Sequence, residues 1–485
     1  MMCIIYCAFC LVNPSAGAET VLTTPPQKTP AAQATLFDRI VELNKVQEPE
    51  LDAAEMRTEF QRLTALARTA LKSAATPKEK IAALNKILLA DRKVAYISNK
   101  YWRDATLAAS LLRGKGNCLS TATLYMLVGS ALELPIHMVV IPQHAFARWD
   151  DTQARINIET TDGGREIADS EYLSRWSSAD PGDIEKLGWG KSLDESGAYV
   201  ELLRVTAAHR IGENRLEDAL ALIEQATQLQ PERPDLKLWH CEVMANVDGR
   251  RDEARLKVHT LLQDQKTHPL PPSVETDALV YLARDAAGNG DHERERFYLM
   301  AAYSHAPKSA QMSVLTSLAF CLRALKDFHG AVRYMELVAA MEPLNDSVLY
   351  NLAILQKNDN HLPDAIATIQ RARSINPESW NLQILEAGYL ILNGQREEGQ
   401  KVYATLEKPR GDVEFWAIMQ AWFMAASRNR EKFYIEFEHA LQTARDTQIL
   451  EWIDQDPDLD VYRKDEEFKA LVEKHRDRLH RSKGL

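Results

Sequence analysis

The chain has 485 residues, of which 45% are hydrophobic and 26% charged, and its formal net charge is −11. That length exceeds what a single core supports and suggests two or three folding units. No Lys/Arg-rich run interrupts the acidic balance, which excludes the basic footprint of a nucleic-acid binder. Past the extreme N-terminus no stretch of about 20 apolar residues exists to cross a membrane.

Met1 to Val12 is almost wholly apolar, and Ala16-Gly-Ala18 offers small residues where a signal peptidase reads. Residues 1–18 are therefore expected to be a signal peptide, placing the protein in the periplasm or outside the cell. No Lys or Arg precedes the apolar run; without export the protein would be cytoplasmic. Residues 19–35 form a Pro- and Thr-rich linker with little to bury. Cys3, Cys7 and Cys10 would leave with the leader, so the mature chain keeps Cys118, Cys241 and Cys321. An odd, widely spaced set is no disulfide framework. Past the leader, which holds Cys7-Ala-Phe-Cys10, there is no CxxC or HxxxH pair, so neither a structural zinc site nor any other cofactor is implied.

Residues 36–190 read as one domain. Ile40, Leu43 and Val46, then Phe60, Leu63, Leu66 and Leu71, then Ile81, Leu84, Ile87 and Leu88 recur at helical intervals. Thr76-Pro77 marks a helix start, with Thr as cap and Pro in the first turn. From residue 113 the character changes. A helix is expected from Cys118 to about Leu132, followed by short strands at His137–Ile141, Ala145–Trp149 and Arg155–Glu159. One helix on a small antiparallel sheet is an α+β unit.

Residues 196–445 repeat. Ala319, Ala353, Ala387 and Ala421 share one 34-residue register; Ala331, Ala365, Gly399 and Phe433 share a second; Val338, Ala372, Leu406 and Ala440 share a third. Ala207, Ala219 and Ala226, and later Ala283 and Ala302, hold the same places in other copies, and Cys241 takes the first small position in a degenerate one. This period, with small residues where helices cross, is the tetratricopeptide (TPR) signature of an all-α solenoid. His268-Pro-Leu-Pro-Pro272 reads as an irregular joint. Residues 446–485 read as a capping region, in which the Asp-rich run 454–460 is expected to be a solvated turn, not a calcium loop, and Phe468, Leu471 and Val472 open a last helix. The aromatic residues Phe415, Trp416, Trp422, Phe423, Phe433, Tyr434 and Phe437 fall at helical spacing and read as core.

The sharpest chemistry lies in the first domain. Cys118 stands at a helix start after a Gly-rich loop, His144 begins a strand, and Glu159 ends the next. The helix dipole and a nearby imidazolium both favour a thiolate, a backbone N–H at the helix start can serve as an oxyanion donor, and a carboxylate fixes the tautomer of a catalytic histidine. Asp162 is an alternative to Glu159. Asn117, Gln143, Tyr101 and Trp102 are candidates for a second oxyanion donor.

Gly116-Asn-Cys118-Leu-Ser with Leu134-Pro135, Pro142-Gln-His144-Ala-Phe-Ala-Arg148, and Ile158-Glu159-Thr-Thr-Asp-Gly-Gly164 resemble three motifs of the bacterial transglutaminase-like superfamily, in the branch fused to C-terminal TPRs. The resemblance implies a papain-like α+β domain with a helical N-terminal part, with Cys118 as nucleophile, His144 as base and Glu159 as third member, the last being Glu where the superfamily commonly has Asp. The activity it implies is cysteine-dependent amide hydrolysis or acyl transfer, with the repeats binding a protein or peptide. A catalytically inactive scaffold is the competing reading. A redox-sensing thiol ranks below both, since Cys241 and Cys321 sit at core positions of the repeats. Asn351 stands where some TPRs grip a terminal carboxylate, but Ser317 and Leu385 at the equivalent places leave that clamp unsupported.

Overall fold

The computed structural model describes residues 35–97, 102–176, 179–264, 269–409, 411, 413–445 and 448–481. The expected signal peptide, all but the last residue of the linker, Tyr101 and the side chain of Trp102 lie outside them. The chain divides into two compact units: the first runs to Leu282 and takes in His305–Ser309, and the second holds Ala283–Ser304 and the chain from Ala310 onward.

The first unit opens with helices α1 (Leu36–Gln47), α2 (Ala53–Ala70) and α3 (Pro77–Asn85), the last running into a π turn at Lys86–Ala90. Thr76 caps α3 in a reciprocal box with Glu79, and Pro77 holds its first position, where a missing N–H costs nothing. Strand β1 (Ala95–Tyr96) pairs in parallel with β2 (Lys115–Gly116), and α4 (Leu107–Leu112) and α5 (Cys118–Ala131) follow. Next come β3 (Ile136–Ile141), β4 (His144–Asp150), β5 (Arg155–Ile158), α6 (Asp169–Trp176), α7 (Pro181–Leu187) and β6 (Ser192–Leu193). These strands form an antiparallel sheet in the order β5-β4-β3-β6.

The period of two sorts β4 onto two faces. Ala145, Ala147 and Trp149 join Met138, Ile156 and Ile158 in one core with α5 and the N-terminal helices. Phe146 belongs to a smaller core with Val139, Ile141, Ile167 and Tyr172. Helix α5 is apolar all round because it is buried all round, with twelve of its residues buried from Cys118 to Gly129. Beneath the second face Arg148 is wholly buried, donating to Asn157 (2.6 Å), to the Gly190 carbonyl (2.8 Å) and to Asp169 (2.6 Å). These bonds satisfy a charge that would otherwise be costly to bury. His137, the cross-strand neighbour of Arg148, faces the Leu193 carbonyl at 3.3 Å.

Helical pairs follow: α8 (Glu195–Gly212), α9 (Leu216–Leu229), α10 (Pro234–Met244) and α11 (Arg251–Asp264), then α12 (Pro272–Gly288), within which the first unit gives way to the second. The second unit continues through α13 (His292–His305), α14 (Lys308–Ala324), α15 (Phe328–Met341), α16 (Asp346–Asn358), α17 (Leu362–Ile375), α18 (Trp380–Leu392), α19 (Arg396–Ala404), α20 (Val413–Ala426), α21 (Arg430–Thr443), α22 (Gln448–Gln455) and α23 (Glu466–Arg481). Ala319, Ala353, Ala387 and Ala421 lie on α14, α16, α18 and α20 with no exposed surface, and Ala331, Ala365 and Phe433 do the same on α15, α17 and α21. At Gly399 on α19 a Cβ would stand 2.5 Å from the Ala387 carbonyl oxygen, so the small residues are what lets the two backbones meet. Trp422, Phe423, Phe433, Tyr434 and Phe437 are core, whereas Phe415 and Trp416 are half-buried and meet Trp380 edge-on at 5.4 and 5.3 Å.

The Asp-rich run corrects the expected solvated turn. Asp458 accepts from Trp422 Nε1 at 2.8 Å and pairs with Lys357, while Asp456 accepts from Trp452 Nε1 at 3.0 Å. The side chains of Lys357, Asp456 and Asp458 are all mostly buried. Two carboxylates thus fasten the C-terminal segment to α16 and α20. Cys241 and Cys321 are buried free thiols, and burial pushes them up to about 11 and about 12 respectively. Both behave as core residues.

Candidate active site

Helix α5 begins at Cys118 because Asn117 is extended and caps it: Ser120 N donates to Asn117 Oδ1 and Asn117 N donates to Ser120 Oγ, both at 3.0 Å. Gly116 allows this tight entry, since a Cβ there would lie 2.5 Å from Ser120 Oγ. Ile97 N donates to the Gly116 carbonyl and Ala95 N to that of Gly114, each at 3.0 Å, so β1 steadies the approach. The result places Cys118 in the first turn, where backbone N–H groups have no intrahelical partner and the dipole favours an anion.

His144 opens β4 after the two-residue turn Pro142–Gln143, in which Gln143 takes φ 67° and is exposed. Its ring lies on the same face of the sheet as Phe146 and Tyr172. Glu159 follows β5 directly. Its backbone pairs with Arg165, and the intervening turn uses positive φ at Gly163 and Gly164. A Cβ on Gly164 would collide with the Asn85 amide, which donates to the Gly164 carbonyl at 2.9 Å and accepts from Tyr125 Oη at 2.9 Å. Thr160 Oγ1 lies 2.7 Å from Thr121 Oγ1, tying this turn to the first turns of α5.

These supports bring the three residues into one chain. His144 Nε2 stands 2.8 Å from Glu159 Oε2, and the imidazole also hydrogen-bonds the Cys118 side chain. The side chains of His144 and Glu159 are 7% and 2% exposed and Cys118 is 7% exposed, so water scarcely screens their charges. Burial alone would lower the histidine, but its bonds to Cys118 and Glu159 outweigh that and raise it to about 9. Burial likewise opposes ionisation of Glu159, but the imidazole and the N–H and hydroxyl of Thr161 hold its carboxyl below the usual range. Asp162 is not the partner. It is exposed and pairs with Arg165 at 2.7 Å.

Asn117 is buried and its Oδ1 is spent on the cap. Tyr172, which no motif or spacing singles out, stacks on Phe146 with ring centroids 3.8 Å apart and lies 5.8 Å from the His144 ring. Its buried hydroxyl interacts with the Glu159 carboxylate. Among the described residues no group of three or more His, Cys, Asp or Glu side chains is placed to hold a metal ion.

Residues 54–186 match the family model of the transglutaminase-like superfamily. The chain carries a transglutaminase-like domain. This domain is followed by a long helical TPR-like region. A tetratricopeptide repeat protein from Parabacteroides merdae ATCC 43184 is similar at 13% identity over 53% of this chain and 97% of that one, with a TM-score of 0.39. PilW, a widely conserved type IV pilus biogenesis factor, is similar at 14% identity over 42% of this chain and 91% of its own (TM-score 0.35). YrrB, a TPR protein with an unusual peptide-binding site, is similar at 17% identity over 36% and 86% (TM-score 0.29). No curated protein sequence matches the chain. Among the described residues of the transglutaminase-like domain and the repeats, no helix is long and apolar enough to cross a membrane.

Proposed function

We propose that the protein is an exported cysteine-dependent amide hydrolase or acyl transferase whose TPR-like helices hold a protein or peptide partner. The observation that carries this reading is the buried chain from the Cys118 thiol through His144 to Glu159. In the reaction the Cys118 thiolate attacks an amide carbonyl, forming the Sγ–C bond. As the tetrahedral adduct collapses, the C–N bond breaks and the His144 imidazolium gives its proton to the departing amine. Water or a second amine, deprotonated by His144, then attacks the thioester and releases the thiolate. Glu159 keeps the ring oriented and offsets its charge throughout, and the unpaired N–H groups at the start of α5 face the developing oxyanion.

The test uses protein in which Cys3, Cys7, Cys10, Cys241 and Cys321 are replaced by Ser, so that Cys118 is the thiol that iodoacetamide reads. Its alkylation at pH 7 is expected to slow by about tenfold or more in His144→Ala, with Glu159→Gln between that variant and the parent. Equal rates in all three would sink the catalytic reading and leave the domain as a scaffold.

A further inference from the structure

Beside the nucleophile lies a cavity of about 200 Å³. One wall comes from the turn before β1, with Leu89, Ala90 and Val94, and another from Thr160 and Thr161, which follow Glu159 directly. Gly116, two residues before Cys118, completes its floor. The cavity therefore abuts both the strand that leads into the thiol's helix and the carboxylate's turn. Tyr96, also in its lining, feels the charges of Cys118 and Glu159.

Lys93 is the cavity's sole charged lining residue. Its backbone is held at φ 50° after the π turn, with Lys93 N donating to the Ala90 carbonyl and Val94 N to that of Leu89, both at 3.1 Å. Single π turns inside helices concentrate at functional sites. Other cations of the domain are paired, Lys78 with Glu166, Arg113 with Glu48 and Arg165 with Asp162, and Arg92 beside Lys93 spends its guanidinium on the Leu88 and Leu111 carbonyls. Among the described residues no carboxylate pairs with Lys93. In the turn that supplies Thr160 and Thr161, both acids are already engaged, Glu159 by His144 and Asp162 by Arg165. A small cleft with an apolar wall and one uncompensated ammonium is suited to receive an anion on a short stem.

We propose that this cavity is a substrate subsite in which Lys93 selects peptide-like acyl compounds bearing a carboxylate close to the reacting carbonyl. The inference rests on the amide-directed reading of Cys118 and names the substrate class for it. The carboxylate can come from an acidic side chain or from a free C-terminus, and the experiment separates the two.

Full-length protein with Cys3, Cys7, Cys10, Cys241 and Cys321 replaced by Ser is alkylated with iodoacetamide in the presence of acetyl-Ala-Glu-Ala-amide, acetyl-Ala-Gln-Ala-amide or acetyl-Ala-Gln-Ala with a free C-terminus. At least one acid is expected to protect Cys118 about threefold better than the neutral amide, the scale of one exposed ion pair. Lys93→Met should erase that difference, each protection being taken relative to the same variant's rate without peptide. The Glu peptide alone protecting identifies a side-chain carboxylate, and the free acid alone a terminal one. No advantage for either acid, absence of protection by all three included, overturns the proposal, as does a preference that survives Lys93→Met. The rate without peptide, compared with His144→Ala, reports separately on the catalytic reading.

Discussion

His144 is the residue whose environment most alters its chemistry, and the alteration has a measurable consequence for stability. An unfolded imidazole titrates near 6.5, whereas in the fold its partners raise it to about 9. A raised value means that the folded state holds the proton more tightly. The stabilisation is therefore complete below pH 6.5 and is lost as the pH rises toward 9. The stability of the first unit, followed by amide hydrogen exchange of β4 and β5 corrected for the intrinsic pH dependence of exchange, is expected to fall across that window in the parent and to stay nearly level in His144→Phe. Parallel declines in the two proteins would show that the proton on His144 is not held by Cys118 and Glu159 in the way the geometry describes.

Among the elements, the turn from Glu159 to Arg165 has the least freedom. Gly164 is left-handed at φ 80°, and its absent side chain is the space that Asn85 occupies. Gly164→Ala meets both strain and a collision. A destabilisation of about 1–3 kcal/mol is expected from overpacking, together with slower alkylation of Cys118 as Glu159 loses register; unchanged midpoint and unchanged rate would show that the turn adapts freely. This turn also shows how far the site was legible. Cys118, His144 and Glu159 stand out because each lies within a few residues of a strong local signal: a capping asparagine after glycines, a Pro-led turn, a Gly-Gly turn. The choice between Glu159 and Asp162 was not legible, because both sit in one turn and only the pairing of β4 with β5 decides which faces the ring. Tyr172, Arg148 with Asp169, and Lys93 gave no signal either. Their roles arise from contacts between segments far apart in sequence, and no periodicity encodes those. The repeats were legible for the opposite reason, since each copy restates the same local demand for a small residue at the crossing.

At the scale of the whole chain, the TPR-like region ends in a closure that composition alone misread. An aspartate-rich run usually stays in water, but here Trp422, Trp452 and Lys357 supply donors for Asp456 and Asp458, and Phe468 of α23 stacks on Phe437 of α21 with centroids 4.7 Å apart. Terminal repeats need such a cover because their outer faces have no next repeat to bury them. Asp458→Ala leaves the mostly buried Trp422 N–H without its acceptor and the Lys357 ammonium with Asp456 alone, 4.0 Å away, a loss of about 1–3 kcal/mol. Stacked repeats contact only their neighbours, so the damage should be local. Amide hydrogen exchange is expected to quicken in α16, α20 and α21, while α8 and α9 and the alkylation rate of Cys118 keep parental values. If exchange instead quickened evenly through the chain, or Cys118 changed its rate, the closure would be fastening more than the end of the array, and the two units would have to be treated as one cooperative body.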